Sequence, residues 1–493
     1  MQVLHGKRVE TRRQWFGEIA WAGEFEQAAF HGTDIVCGSG GRTRGTSVVF
    51  VGAGSIVDRL HRTEAGQNQL VSNSLPCLLS VAQTDLDPTY PKYYEDLRSI
   101  NEGVDRYVRR FKCSRGYVEF VYFDNLVWNG SRMQREPKPH SKTAFDDYAD
   151  YVSYLHSSMR AIAENIRSPD REFPYEMLAT VSSGYDSAAT AAIATSAGCE
   201  RLLTIDRSRA GDSDSGEEIG KHLGVETIVA GRDDWRSTEL AERPFIAGGP
   251  GGGGSVFIKS GEEHLRNTVL FTGLGGGLIW GDADESPEAG YPPVGFADAS
   301  LTEYRLSTRF LHCPLPLWGM RTPDDIYRIT GSDEMKPWRI GGNYDRPIPR
   351  RIVESAGVPR QAFGMKKKAA AFKLHQPHAK EEAPLPSSLQ DFNAWLRESR
   401  SQWLKRGKLP PSPMVSDIVD SILWAGITGL RVTRKLIPVS GVQDYLAVKV
   451  RELRHRARRP PGSVRCFTFP WAVDRVRKEY DAGRSLYPAG PGD

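Results

Sequence analysis

Cysteine is scarce: the 493 residues hold six, Cys37, Cys77, Cys113, Cys199, Cys313 and Cys466, with no Cys-x-x-Cys pair and no metal-ligand rhythm with histidine. That scatter excludes a zinc ribbon or a dithiol redox motif and points to reduced, cytosolic thiols. Long apolar runs are missing too, since none approaches the ~18 residues of a membrane span. The start, Met1-Gln2-Val3-Leu4-His5-Gly6-Lys7-Arg8, has no apolar signal core. A cytoplasmic protein with no membrane partner is expected. Nor does charge of one sign dominate: 65 basic side chains face 61 acidic ones, a net of +4, which argues against a nucleic-acid partner held by bulk charge. The Walker pattern Gly-x-x-x-x-Gly-Lys-Ser/Thr is also absent. Val48 to Val57 imitates a dinucleotide turn, but Val57 stands where the third glycine belongs and no acidic residue follows at the right distance. It reads as a β-turn between core strands.

What the chain does have is ordinary globular composition, 39% hydrophobic and 26% charged, and length for two to four domains at ~100–200 residues each. Its most informative stretch is Leu178-Ala179-Thr180-Val181-Ser182-Ser183-Gly184-Tyr185-Asp186-Ser187, an apolar strand running into small residues and then the helical run Ala188 to Ala197. A strand-loop-helix unit of this kind closes backbone amides around an anion and adds the positive end of the helix dipole. A nucleotide polyphosphate is the expected ligand, with a Ser/Asp helix cap as the plainer reading of the same letters.

Residues 1–140 mix short alternating or apolar runs with glycine turns, at Thr46 to Val51, Leu75 to Val81 and Val118 to Phe123, and predict a mostly β domain. The polar, proline-bearing segment Arg135 to Ser141 marks a boundary. Residues 141–375 read as α/β. Tyr148, Tyr151, Leu155, Met159, Ile162 and Ile166 recur at helical spacing, and strands are expected at the motif, Arg201 to Asp206, Glu226 to Val229 and Thr268 to Thr272. Helices between such strands imply a parallel sheet, with ligands beyond the carboxyl ends of the strands. The glycine run Gly248 to Gly254 reads as a mobile active-site loop or a plain connector. Residues 376–493 form a linker and a helical extension, with an amphipathic patch at Val415 to Leu430 and a basic run at Lys449 to Arg459 that reads as a solvated helix face.

The letters Ser-x-Gly-x-Asp-Ser resemble the phosphate loop of the ATP pyrophosphatase (PP-loop) superfamily, with Ser183 in place of the usual first glycine. The surrounding order resembles the synthetase domain of asparagine synthetase and its relatives, the β-lactam synthetases and lasso-peptide cyclases, over about residues 145 to 375. The resemblance implies a parallel-sheet, adenine-nucleotide alpha-hydrolase-like fold. It places ATP phosphates on Ser182, Ser183, Gly184, Asp186 and Ser187, and adenine near Leu203, Thr204 and Ile205. Asp214-Ser215-Gly216-Glu217-Glu218 before Leu223-Gly224 matches a further family segment. Gly273-Leu274-Gly275-Gly276-Gly277-Leu278 stands where the family has Gly-Glu-Gly-x-Asp-Glu, so Gly273 joins the nucleotide set while the acidic letters are lost. Lys366, Lys367 and Lys368, after Phe363-Gly364, occupy the place of the family's catalytic lysine. Lys367 aligns best, and a solvated lysine run on a surface helix is the other reading.

By the same resemblance Mg²⁺ would bridge the phosphates from Asp186, with Asp282, Asp284 and Glu285 either substitutes for the lost carboxylates or a solvated acidic turn. Val71 to Leu79 faintly resembles a glutaminase segment, which makes 1–140 a degenerate glutaminase-type domain. Gln2 stands where that nucleophile is a cysteine, so glutamine hydrolysis is not expected. Cys37 reads as a small buried thiol rather than a relocated nucleophile. An arginine of the Glu303-Tyr304-Arg305 to Arg309 stretch is a candidate clamp for a substrate carboxylate. The activity implied is ATP-dependent amide formation: adenylation of a small-molecule or peptide carboxylate, release of pyrophosphate, and capture by an amine or ammonia. Two other readings stay open, a PP-loop nucleotide- or tRNA-modifying enzyme and a non-catalytic ATP-binding scaffold.

Overall fold

The structure is a computed structural model that describes residues 1–486 apart from 104, 250, 282–299, 342–343, 373–382, 409, 412, 437–441, 444, 447–448 and 451–463. The expected substitutes Asp282, Asp284 and Glu285, and most of the linker and basic run, lie outside the described residues.

The N-terminal region is mostly β, as its alternation predicts. A six-stranded antiparallel sheet runs β1-β2-β3-β4-β9-β10, from β1 (Glu10–Thr11), β2 (Trp15–Trp21), β3 (Val36–Arg44), β4 (Ser47–Val51), β9 (Asn125–Trp128) and β10 (Met133–Glu136). A four-stranded one runs β6-β5-β8-β7, from β5 (Leu60–Ala65), β6 (Asn68–Ser72), β7 (Arg110–Lys112) and β8 (Tyr117–Val121). One expected strand is a helix instead, Leu75–Val81. Ser74 caps it by accepting from the Cys77 amide at 3.1 Å, and Pro76 sits in its first turn, two start signals that outweigh an apolar run. The imitation dinucleotide turn is a tight strand connection: the Gly54 amide bonds the Val36 carbonyl at 3.0 Å, and a Cβ on Gly54 would lie 1.6 Å from the Asp34 carbonyl oxygen.

The α/β region holds a five-stranded, all-parallel sheet in the order β13-β12-β11-β14-β15, from β11 (Glu176–Thr180), β12 (Arg201–Ile205), β13 (Glu226–Ala230), β14 (Thr268–Thr272) and β15 (Leu311–Pro314). The central strand β11 has its sequence successor β12 on one side and β14 on the other. Connections leaving β11 and β14 therefore diverge to opposite sides, which opens a crevice at their carboxyl ends. The expected amphipathic helix spans Tyr148–Ile166 behind an Asp147 cap and buries Tyr148, Tyr151, Leu155, Met159, Ile162 and Ile166. The helix after the motif, Tyr185–Ser196, buries its alanines and Ile193; small side chains let it lie close on the sheet.

The glycine run is structured rather than open. Gly248 ends a helix, Gly252 to Gly254 open a 3₁₀ segment, and a Cβ on Gly252 would lie 1.9 Å from the Phe245 carbonyl oxygen. Close backbone packing, rather than mobility, requires glycine there. Arg135 to Ser141 is likewise no loose joint, since Lys138 is buried and donates to Asn125 Oδ1 at 2.5 Å. One continuous hydrophobic core takes in Phe120 of the β region, Ile162 and Ala191 of the α/β region and Trp471 of the C-terminal extension.

Candidate functional site

The motif loop sits at the carboxyl end of β11, where the sheet topology opens its crevice. Ser182 Oγ lies 2.8 Å from Ser187 Oγ and accepts the Gly184 amide at 3.2 Å, drawing the two ends of the turn together. Gly184 is the cap of the following helix and offers no side chain to its first amides. Those amides have no partner within the helix and, with the dipole, present a positive face.

Ser183, the departure from the family letter, is built into the loop. Its hydroxyl donates to Asp214 Oδ1 at 2.7 Å, its amide bonds the Asp214 carbonyl at 3.2 Å, and Lys368 Nζ reaches the same hydroxyl at 3.1 Å. Burial pushes the Asp214 carboxyl up, against the pull of Ser183 and Lys368.

The lysines arrive on an extended strap rather than a helix. The strap is tied at its start by the Gly364 amide to the Ser183 carbonyl at 2.8 Å and at its end by the Arg209 amide to the Ala369 carbonyl at 2.7 Å. Gly364 has φ +66°, and a Cβ there would enter the Tyr185 ring at 2.3 Å, so only glycine allows this crossing. The three side chains then part. Lys366 is exposed and paired with Asp212 at 2.9 Å. Lys368 also donates to the Ser213 carbonyl at 2.6 Å. Lys367 acts on Asp186 across the site.

Asp186 lies in the first turn of the helix, wedged between glycines. A Cβ on Gly273 would fall 2.4 Å from Asp186 C and Ser187 N, and one on Gly276 would fall 2.5 Å from Asp186 Cγ. The glycine-rich turn after β14 is thus the space that the motif loop needs. Asp186 Oδ1 is buried with no hydrogen-bond partner. Burial raises its carboxyl to about 6, while Arg346 and Lys367 pull it the other way.

Sequence reasoning missed Arg346. It caps the Pro347–Ser355 helix and is nine-tenths buried, and its Nε is buried without a partner. No motif letter marks it; its one local signal is its place before a helix-opening proline. Tyr344 was missed too. Its ring lies 5.0 Å from that of Tyr185, whose hydroxyl receives the fully buried Arg350 at 2.5 Å.

No family model and no curated protein matches this chain.

The three residues expected near adenine differ in exposure. Leu203 is buried beneath Gly261, and the Thr204 hydroxyl is spent on the Gly216 amide at 2.8 Å. Ile205 alone of the three stays half-exposed. Of the two arginines expected as a clamp, Arg305 is spent, buried with Glu18 Oε2 at 2.6 Å and Asp58 Oδ2 at 3.2 Å, while Arg309 is exposed at the end of its helix. Cys37 is a buried thiol beside Cys313.

The described residues alone do not make a magnesium site. Among them Asp186 is the one carboxylate of the crevice left without a partner on Oδ1, and its charged neighbours are Arg346 and Lys367. Gly277 and Leu278 carry no side-chain oxygen at the positions where the resemblance places carboxylates. Among the described residues no group of three His, Cys, Asp or Glu side chains is placed to hold a metal. The arrangement is a small-residue turn on a helix N-terminus, faced by cations: chemistry for gripping a polyanion.

Proposed function

We propose that this chain is an ATP-dependent, AMP-forming carbon–nitrogen ligase of the PP-loop type, acting on a small-molecule or peptide carboxylate and an amine or ammonia. The observation that carries the reading is the joining of the Ser182–Ser187 turn to the Lys366–Lys368 strap through Ser183 at the switch point of a parallel sheet. A strap with no phosphate to serve has little reason to be tied to such a turn twice, by the Gly364 amide and by Lys368.

In this reading a substrate carboxylate oxygen attacks the α-phosphorus of ATP. The bond from that phosphorus to the β-phosphate's bridging oxygen breaks, and pyrophosphate leaves with the electron pair. The amine nitrogen then attacks the acyl carbon, loses a proton, and expels AMP. The helix N-terminus and the Lys367 ammonium stabilise the charge that develops on the leaving pyrophosphate, the kind of preorganised electrostatic help that is worth ~3–4 kcal/mol per donor. Lys368 holds the turn in shape and is a positioning residue.

The test is substrate-dependent pyrophosphate release. Lys367→Ala is expected to lower its rate about 100- to 1,000-fold with ATP affinity changed much less, the pattern of a group that acts in the transition state. Release that is undiminished in Lys367→Ala contradicts the assignment. Tight ATP binding without release across acids and amines favours the scaffold reading, to which the loss of carboxylates at Gly277 and Leu278 gives some ground.

A further inference from the structure

Two oppositely charged groups, the half-buried Asp186 and the buried Arg346, face one small space at the foot of the motif loop, and no hydrogen bond joins them. Asp186 Oδ1 has no hydrogen-bond partner, and neither has Arg346 Nε, on a side chain that is nine-tenths buried. The point that a Cβ on Gly277 would occupy lies 3.8 Å from Arg346 NH2 and 3.8 Å from Asp186 Oδ2. Gly277 is therefore the opening through which both groups are reached. The carboxylate next to Arg346 in sequence is committed elsewhere: Asp345 accepts the amides of Ile340 at 3.4 Å and Gly341 at 3.3 Å.

A buried guanidinium nitrogen without a hydrogen-bond partner is costly to the fold, and a ligand anion that reaches it removes that cost. Its planar fork of N–H donors matches two phosphate oxygens at once. A divalent ion placed at Asp186 would in contrast stand close to both Arg346 and Lys367, and like charges at such range repel strongly in a site poor in water.

We propose that Arg346 is a phosphate-gripping residue that takes the place of a protein-held magnesium ion, so that this chain binds ATP in the absence of divalent metal. The proposal rests on the ATP reading of the loop. It adds a residue to that reading and fixes the form of the ligand as metal-free nucleotide triphosphate. Gly277 belongs to the same device: without a side chain, it leaves the guanidinium open to phosphate.

Calorimetric titration of the full chain with ATP, once with excess Mg²⁺ and once with EDTA, tests this without relying on turnover. Wild type is expected to bind in EDTA with an affinity within about tenfold of that in Mg²⁺, and Arg346→Gln to weaken binding in EDTA about 10- to 100-fold, the range of a charge-assisted hydrogen bond lost. Arg346→Lys should recover part of that loss, because it restores the charge but not the fork. Gly277→Asp supplies an independent check that leaves Arg346 in place, since its carboxylate would neutralise the guanidinium and join Asp186. It should abolish binding in EDTA and leave binding in Mg²⁺. Circular dichroism of each variant separates loss of binding from loss of fold. Binding by wild type in Mg²⁺ but not in EDTA overturns this inference and leaves the ATP reading standing. So does undiminished binding in EDTA by Arg346→Gln. Binding in neither buffer overturns both.

Discussion

Asp186 concentrates the conflict between stability and function. Its carboxyl is raised by burial from 3.8 to about 6, so the folded chain holds that proton more tightly than the unfolded chain does. The sign follows: the stabilisation is full below the ordinary carboxylate range and is lost as pH rises through about 6. Asp186→Asn has no charge to bury. Without nucleotide it should melt higher than wild type near pH 8 by about 1–2 kcal/mol of stability, with the gap closing towards pH 4. Thermal melts across that range check this, and a gap that widens on acidification would contradict it. Ser183 teaches the complementary lesson. Read as a letter it is a departure from the usual glycine; in the structure its hydroxyl ties the turn to Asp214 and Lys368.

At the scale of elements, the site exists because two loops interpenetrate. Gly273→Ala should therefore damage binding more than a core substitution of similar cost. Its Cβ, 2.4 Å from the backbone of Asp186 and Ser187, must displace the Ser182–Ser187 turn itself, at about 1–3 kcal/mol. Loss of ATP affinity in a variant that still melts cooperatively is the expected result of titration. Thr204→Val should cost about 1–3 kcal/mol by leaving the buried Gly216 amide without its acceptor, measurable in a urea melt. The elements legible in the sequence are those with a strong period or punctuation: the Tyr148–Ile166 helix with its three-four spacing, and the strands β11 to β14. Leu75–Val81 was misread because an apolar run without its cap resembles a strand, and β15 went unseen because Leu311–Pro314 is too short to show a period. Of the site, the residues adjacent in sequence were legible. Arg346 was not, since it is brought to Asp186 by the Pro347–Ser355 helix and no spacing rule links positions so far apart.

At the scale of the molecule, buried polar groups join the regions that composition had separated. Arg305 of the α/β region is buried between Glu18 and Asp58 of the β region. Burial pushes Asp58 up, but Arg305 together with Thr302, His312 and Ser300 more than offsets it, and the carboxyl lies below its ordinary value. Arg305→Leu would leave two carboxylates unpaired and should cost about 3–5 kcal/mol, seen as a lower urea midpoint. The extension is joined in the same way: Glu303 accepts from Ser74 at 3.1 Å and from Tyr480 at 3.3 Å. A chain interlocked like this places the Ser182–Ser187 turn, its strap and Arg346 on one body. Among the described residues no helix is long and apolar enough to cross a membrane.

The central claim, that the Ser182–Ser187 turn holds ATP for adenylation of a carboxylate, is tested most directly by exchange of labelled pyrophosphate into ATP across a panel of small-molecule and peptide acids, with Lys367→Ala in parallel. The account predicts that at least one acid supports exchange by wild type and that Lys367→Ala slows it about 100- to 1,000-fold. Exchange that persists unchanged in Lys367→Ala would contradict the site.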